Sequence, residues 1–83
     1  MSERLQITVD KEDLEVIDNL QKLCKLDSRS EVVQEALVLL GWAAAATNDG
    51  LTVAAVDEAN NKFREVETKA LQRARPRARA HAS

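Results

Sequence analysis

The sequence predicts a mainly α-helical protein with one short β-strand near its N terminus. Residues 4–9 alternate polar and apolar side chains, which is the pattern of a half-buried strand. Residues 11–25 and 29–47 instead repeat apolar side chains at every third or fourth position, the spacing of one helix face. Because a lone short strand is not stable, we expect this strand to pair with another strand.

Length and composition narrow the classes of protein. A chain of 83 residues holds a single core, and cores this small often need a disulfide, a metal or a partner chain. Cys24 is the single cysteine, so no internal disulfide forms and a reducing compartment is indicated. No apolar run approaches the roughly 20 residues of a membrane span, and the first ten residues do not resemble a signal peptide. We therefore expect a cytoplasmic protein, without a membrane contact, that is completed by self-association.

Charge is distributed unevenly along the chain. Residues 1–50 carry five basic and ten acidic side chains, whereas residues 51–83 carry seven basic and four acidic ones, and the whole chain has a net charge of −2. Nucleic-acid-binding proteins usually carry excess positive charge. A nucleic-acid interface in the first half would therefore depend on a few well-placed cations.

The strand predicted at residues 4–9 has two different faces. Its alternate side chains form an apolar face, made of Leu5, Ile7 and Val9, and a polar face, made of Arg4, Gln6 and Thr8. The apolar face needs cover from the helices, and the polar face is left for solvent or for a ligand.

The first helix is predicted over about residues 11–25. Asp10 is a suitable N-cap, and the acidic residues that follow it favour the positive end of the helix dipole. Leu14, Ile17 and Leu20 form the apolar stripe, and we place Cys24 on the same side as a small core residue.

The second helix is predicted over about residues 29–47. Ser28 and Glu31 have the spacing of a capping box, and Gly50 is a suitable residue for the helix end. The apolar stripe consists of Val33, Leu37 and Leu40 together with Ala36, and Trp42 widens it. We expect Trp42 to pack in the core or against the second copy.

The stretch 51–70 allows two interpretations. A heptad-like repeat of apolar residues permits a helix, but strand-length apolar runs on either side of Asn60 and Asn61 favour a β-hairpin. We predict the hairpin, followed by a short helix at about 69–74. The resulting domains are 1–48 for dimerisation, 49–72 as a C-terminal appendage, and 73–83 as a basic disordered tail.

Strand, helix, tight turn and capped helix in this order resemble the ribbon-helix-helix family of MetJ, Arc and CopG-like repressors. The match rests on residues 4–9, 11–14 and 28–31 and on Ala36 and Leu37, and it covers about residues 4–46. It implies an intertwined homodimer that lays its ribbon in the DNA major groove. The dimer core would then consist of Leu5, Ile7, Val9, Leu14, Ile17, Leu20, Val33, Leu37 and Leu40.

The resemblance also implies two DNA sites. The resemblance assigns base readout to Arg4, Gln6 and Thr8. Arg4 suits guanine, Gln6 suits adenine, and Thr8 offers a hydroxyl and a methyl group. The alternative is the plain polar face of a sheet. Phosphate binding falls to the start of the second helix, at Ser28, Arg29 and Ser30, where free N–H groups and the helix dipole favour an anion. The alternative there is a cap with no ligand.

Other functional residues are few. The C-terminal arginines allow two interpretations: they make non-specific contacts with DNA phosphates, or they form a tail that only increases solubility. These arginines are Arg73, Arg75, Arg77 and Arg79. One cysteine and one histidine, which lies in the tail, make no metal site, and no catalytic motif stands out. We therefore expect neither a metal or cofactor nor an enzymatic activity.

The sequence thus predicts a transcriptional repressor that binds double-stranded operator DNA as a homodimer, with higher assembly on DNA open. The alternative is an antitoxin-like interaction module that binds a partner protein through residues 51–72. A third hypothesis is a dimer of this fold that no longer binds DNA, which the acidic first half of the chain keeps open.

Overall fold

The computed structural model describes residue 3 and residues 6–76, and this part of the chain is rich in helix. The chain separates into two compact units, Met1–Ala36 and Leu37–Ser83, and α2 contributes to both. Three helices and one two-stranded antiparallel sheet follow one another as α1 (Lys11–Leu23), α2 (Arg29–Asn48), β1 (Ala54–Asp57), β2 (Lys62–Glu65) and α3 (Lys69–Ala74).

Helix α1 begins where the sequence predicts and ends two residues earlier. The Asp10 carboxylate accepts the N–H of Asp13 at 2.8 Å, which confirms the N-cap. At the other end Lys25 adopts a φ of 57°, and the N–H of Leu26 donates to the carbonyl of Gln21 at 2.9 Å. These are the marks of a Schellman motif, in which a left-handed residue reverses the chain.

Cys24 lies just outside α1, as its C-cap, and its side chain is exposed. The expectation that it packs as a small core residue is wrong for the single chain. The left-handed turn at Lys25 ends the helical periodicity on which that expectation was based.

Helix α2 begins with half of the predicted capping box. Ser28 Oγ accepts the N–H of Glu31 at 3.1 Å. The Glu31 carboxylate, however, accepts the N–H of Asp27 at 2.8 Å and not that of Ser28. The side chain of Glu31 therefore closes the interhelical turn one residue further back than a capping box does.

The end of α2 repeats the geometry that ends α1. Gly50 has a φ of 89°, its N–H donates to the carbonyl of Thr47 at 3.0 Å, and the N–H of Leu51 donates to that of Ala46 at 3.0 Å. A Cβ at Gly50 would meet no atom within 4 Å, so glycine is favoured there by its φ and not by space.

The stretch after α2 is a hairpin, as predicted, and not a heptad-like helix. β1 and β2 pair antiparallel with Val56 opposite Phe63, and the bond from the N–H of Val66 to the carbonyl of Val53 extends the ladder by one pair. The strands are shorter than the predicted runs. The loop 58–61 holds the two asparagines: Asn61 is left-handed at φ 54°, and Asn60 donates to the Asp57 carboxylate at 2.7 Å.

Helix α3 covers the predicted residues. Thr68 caps it by accepting the N–H of Leu71 at 3.2 Å.

Each of the two units buries few apolar side chains. Among the described residues the buried apolar side chains are those of Val32, Ala43 and Leu71, and none of the large ones is fully buried. Thr47 is buried too, and its hydroxyl donates to the carbonyl of Ala43 at 2.9 Å. One chain therefore leaves most of its large apolar side chains uncovered.

Candidate nucleic-acid interface

The segment predicted to read bases precedes α1. Gln6 and Thr8 are exposed, as a DNA-contacting face requires, while Arg4 and Leu5 lie outside the described residues. Residues 6–10 carry no strand in the single chain. Strand assignment requires hydrogen bonds to a neighbouring strand, and the neighbour predicted here belongs to a second copy. The ribbon therefore stays a prediction.

Most of the described residues that are predicted to close the dimer core are exposed in the single chain. Ile7 is 60% exposed, Leu37 64% and Leu40 45%. Leu14 and Ile17 are half-buried, and the remaining described members, Val9, Leu20 and Val33, are exposed. Since burying a side chain of this size stabilises by about 1.5–3 kcal/mol, this surface offers a large driving force for association.

The second half of α2 is apolar on all sides. Residues 37–46 contain no charged side chain, and the indole N–H of Trp42 is the one side-chain hydrogen-bond donor among them. Val38, Leu39 and Trp42 are exposed. Trp42 is thus not packed in a single-chain core, and its packing against a second copy stays a prediction. In the part of the chain that the structure describes, no helix has the length and apolar character needed to cross a membrane.

The start of α2 presents free backbone donors. Ser28 takes up the N–H of Glu31, while the N–H groups of Arg29 and Ser30, within the described residues, have no protein acceptor. They lie at the positive end of a 20-residue helix, which favours an anion. The carboxylate of Glu31 in the same turn reduces this positive potential.

Arg29 is held by a residue that the sequence did not single out. Its Nε donates to Asp18 Oδ1 at 2.8 Å and its Nη2 to Asp18 Oδ2 at 3.1 Å, so the pair is bidentate. The hydrogen bond from Arg29 holds the pKa of Asp18 below its usual 3.8, and the same bond raises the pKa of Arg29. Both side chains are about half exposed, so water screens the pair. Arg29 can reach a phosphate only by sharing or leaving Asp18.

The arginines of the predicted tail are only partly described. Arg73 is exposed in the last turn of α3. Arg75 pairs with Glu67 at 3.1 Å, which reduces its availability for phosphate. Arg77 and Arg79 lie outside the described residues.

Comparison with known protein families, with curated proteins and with solved structures found no match to this chain.

Proposed function

We propose that this protein is a sequence-specific DNA-binding repressor that works as a ribbon-helix-helix homodimer. Residues 4–9 of two copies would pair in the major groove, with Arg4, Gln6 and Thr8 toward the bases. The starts of both α2 helices would contact flanking phosphates through Ser28, Arg29 and Ser30. Repression would follow from occupation of the operator, without chemistry.

The observation that carries the proposal is the exposure of the expected dimer core on the expected elements. The order α1, tight turn, capped α2 agrees with the pattern, and within the described residues Ile7, Leu37 and Leu40 remain 60%, 64% and 45% exposed. Exposed apolar side chains of this number on two capped helices indicate a surface that another molecule covers. A second copy supplies that surface and also the strand that residues 4–9 lack.

Two features favour DNA as the ligand of such a dimer. Gln6 and Thr8 alternate with apolar residues and are exposed, so both would present polar groups on the same side once residues 4–9 pair as a strand. The free N–H groups of Arg29 and Ser30 add an anion site at the start of a helix. Base edges and phosphates are the ligands that match these two groups.

Selection from a random duplex pool tests the proposal. We expect the wild-type protein to enrich a short site with two-fold symmetry, because a symmetric dimer reads two half-sites. The variant in which Arg4, Gln6 and Thr8 are all alanine should enrich none while keeping the circular dichroism of the wild type. Equal enrichment by this variant would exclude the ribbon as the reader.

The Asp18–Arg29 pair gives a second test at the phosphate site. Asp18→Asn removes the carboxylate that competes with phosphate for Arg29. We expect tighter binding to every duplex sequence, because Arg29 no longer divides its N–H donors between Asp18 and a phosphate. Glu15→Gln, which removes an acidic group elsewhere on α1, is the matched control. An equal gain for both variants would indicate general charge and not Arg29.

An antitoxin-like interaction module is the second candidate, and the hairpin favours it. Val56 and Phe63 face each other across the strands and are 67% and 72% exposed. An exposed apolar pair of this kind suits a protein partner. Loss of binding to a co-purifying protein on Phe63→Ser, with DNA binding unchanged, would support this function.

A further inference from the structure

The outer edge of β1 carries backbone groups without partners in the described part of the chain. The bond from the N–H of Val66 to the carbonyl of Val53 fixes the alternation along the ladder. Residues 53, 55 and 57 therefore direct their N–H and C=O groups toward β2, and Ala54 and Val56 direct theirs away from it. No hydrogen bond from these outward groups of Ala54 or Val56 is formed within residues 6–76.

The charges decide which edge of the hairpin can pair with itself. A symmetric antiparallel pair brings residues of the same sheet face opposite each other. On β2, pairing about Phe63 would place Lys62 opposite Arg64 of the second copy, which is a repulsive arrangement. On β1, residues 53–56 carry no charge. Charged edges resist strand addition and uncharged ones permit it.

We propose that a second copy of this chain docks on the β1 edge, with the two-fold axis at Ala55. Ala54 of each copy then lies opposite Val56 of the other, and these two pairs use all the outward N–H and C=O groups of Ala54 and Val56. The product is a four-stranded antiparallel sheet in the order β2, β1, β1, β2. This contact is separate from the N-terminal ribbon and goes beyond the proposed function.

The sheet itself supports a second copy as the occupant. A two-stranded hairpin alone is at best marginally stable, and this one keeps Val56 mostly exposed. Docking places Ala54 of the second copy beside Val56 and covers part of it. The strand that docks on this edge needs three successive uncharged residues whose backbone N–H and C=O groups match those of Ala54 and Val56. β1 of a second copy meets that requirement.

Disulfide trapping tests the contact and its register. In the proposed sheet Ala55 faces itself as a non-hydrogen-bonded pair, with Cα atoms about 4.5 Å apart, within the range that a disulfide bridges. In a Cys24→Ser background, Ala55→Cys should form a covalent dimer under mild oxidation. Arg64→Cys, the cross-strand neighbour of Ala55, should not, because β2 lies at the far edge.

The outcomes separate the alternatives. No dimer for Ala55→Cys, or as much dimer for Arg64→Cys, overturns the proposal. Preferential trapping of Ala54→Cys or Val56→Cys would overturn the two-fold axis at Ala55. Because this assay contains no DNA, its result is independent of whether the chain binds an operator.

A charge at the two-fold axis supplies a second measurement. Ala55 is exposed, so Ala55→Lys should leave the hairpin folded while placing two ammonium groups face to face. We expect self-association through this edge, measured by sedimentation equilibrium, to weaken about tenfold or more. Ala59→Lys, in the hairpin loop, adds the same charge and should change it less than about twofold. If Ala55→Lys associates as strongly as the wild type, a second copy does not dock on the β1 edge, and the proposal is overturned.

Discussion

Truncation of Leu37 to alanine distinguishes a protein completed by a second copy from one that folds alone. Leu37 belongs to the predicted dimer core, yet it is 64% exposed in the single chain. Its side chain therefore makes only about a third of the contacts that a buried leucine makes. If the protein works as a monomer, the alanine variant loses little.

The cost of Leu37→Ala in free energy of unfolding differs several-fold between a monomer and a dimer. Complete burial of a leucine side chain stabilises by about 1.5–3 kcal/mol, so the third that is buried in one chain accounts for less than about 1 kcal/mol. If a second copy covers Leu37, the substitution leaves a cavity in a closed core and costs about 2–5 kcal/mol. Leu23 is the matched control, because it is 78% exposed and lies outside the predicted dimer core; Leu23→Ala should cost less than about 0.5 kcal/mol.

Urea unfolding followed by circular dichroism measures these costs. The wild-type midpoint should rise with chain concentration, because unfolding of a dimer is also dissociation. Leu37→Ala should lower the midpoint far more than Leu23→Ala at every concentration. Equal small effects of the two variants, with a midpoint that does not depend on concentration, would refute the dimer core.

Three further predictions concern turns, charge and capping. Gly50→Ala should lower the free energy of unfolding by about 1–2 kcal/mol, because Gly50 has a φ of 89°. Lys25→Gly should raise the free energy of unfolding by up to about 1 kcal/mol, because Lys25 holds a left-handed conformation at φ 57°. Urea unfolding should therefore show changes of opposite sign for the two variants, and changes of the same sign would contradict the assignment of these turns. The hydrogen bond from Arg29 lowers the pKa of Asp18 below 3.8, so the pair stabilises the fold above that pH, and this contribution disappears as the pH falls through the lowered pKa. The difference in urea-unfolding midpoint between wild type and Asp18→Asn should therefore shrink on acidification from pH 5. A difference that stays constant would argue against the pair. Ser28→Ala should cost about 0.5–2 kcal/mol by removing the cap of α2, with thermal unfolding as the measurement and an unchanged melting temperature as the contrary result.

Local signals predicted the helices and the hairpin well. The predicted caps at Asp10 and Ser28 act within three residues of sequence, and Gly50 ends α2 as a glycine with positive φ does. The hairpin followed from the asparagines of its loop, of which Asn61 is left-handed. Interactions of this range can be found from the sequence because both partners lie in the same short stretch.

Longer-range contacts were not accessible in the same way. The pair Asp18–Arg29 joins residues eleven apart across a turn, and no spacing rule for helices relates them. Lys25 gave no sign that it would end α1, since a lysine rarely adopts a positive φ. The exposure of Cys24 followed from that turn.

The measurement that tests the central claim most directly is the specificity ratio, which is the affinity for the selected site divided by that for random duplex, taken over a salt series. We predict that Gln6→Ala lowers this ratio by a factor that corresponds to about 1–3 kcal/mol per half-site and leaves the salt slope unchanged, because Gln6 is the proposed base contact. Arg29→Ala should weaken binding to both duplexes alike and reduce the slope by about two, because the proposed dimer loses one phosphate contact at each of its two α2 starts. A ratio that Gln6→Ala leaves unchanged would contradict base readout by the ribbon.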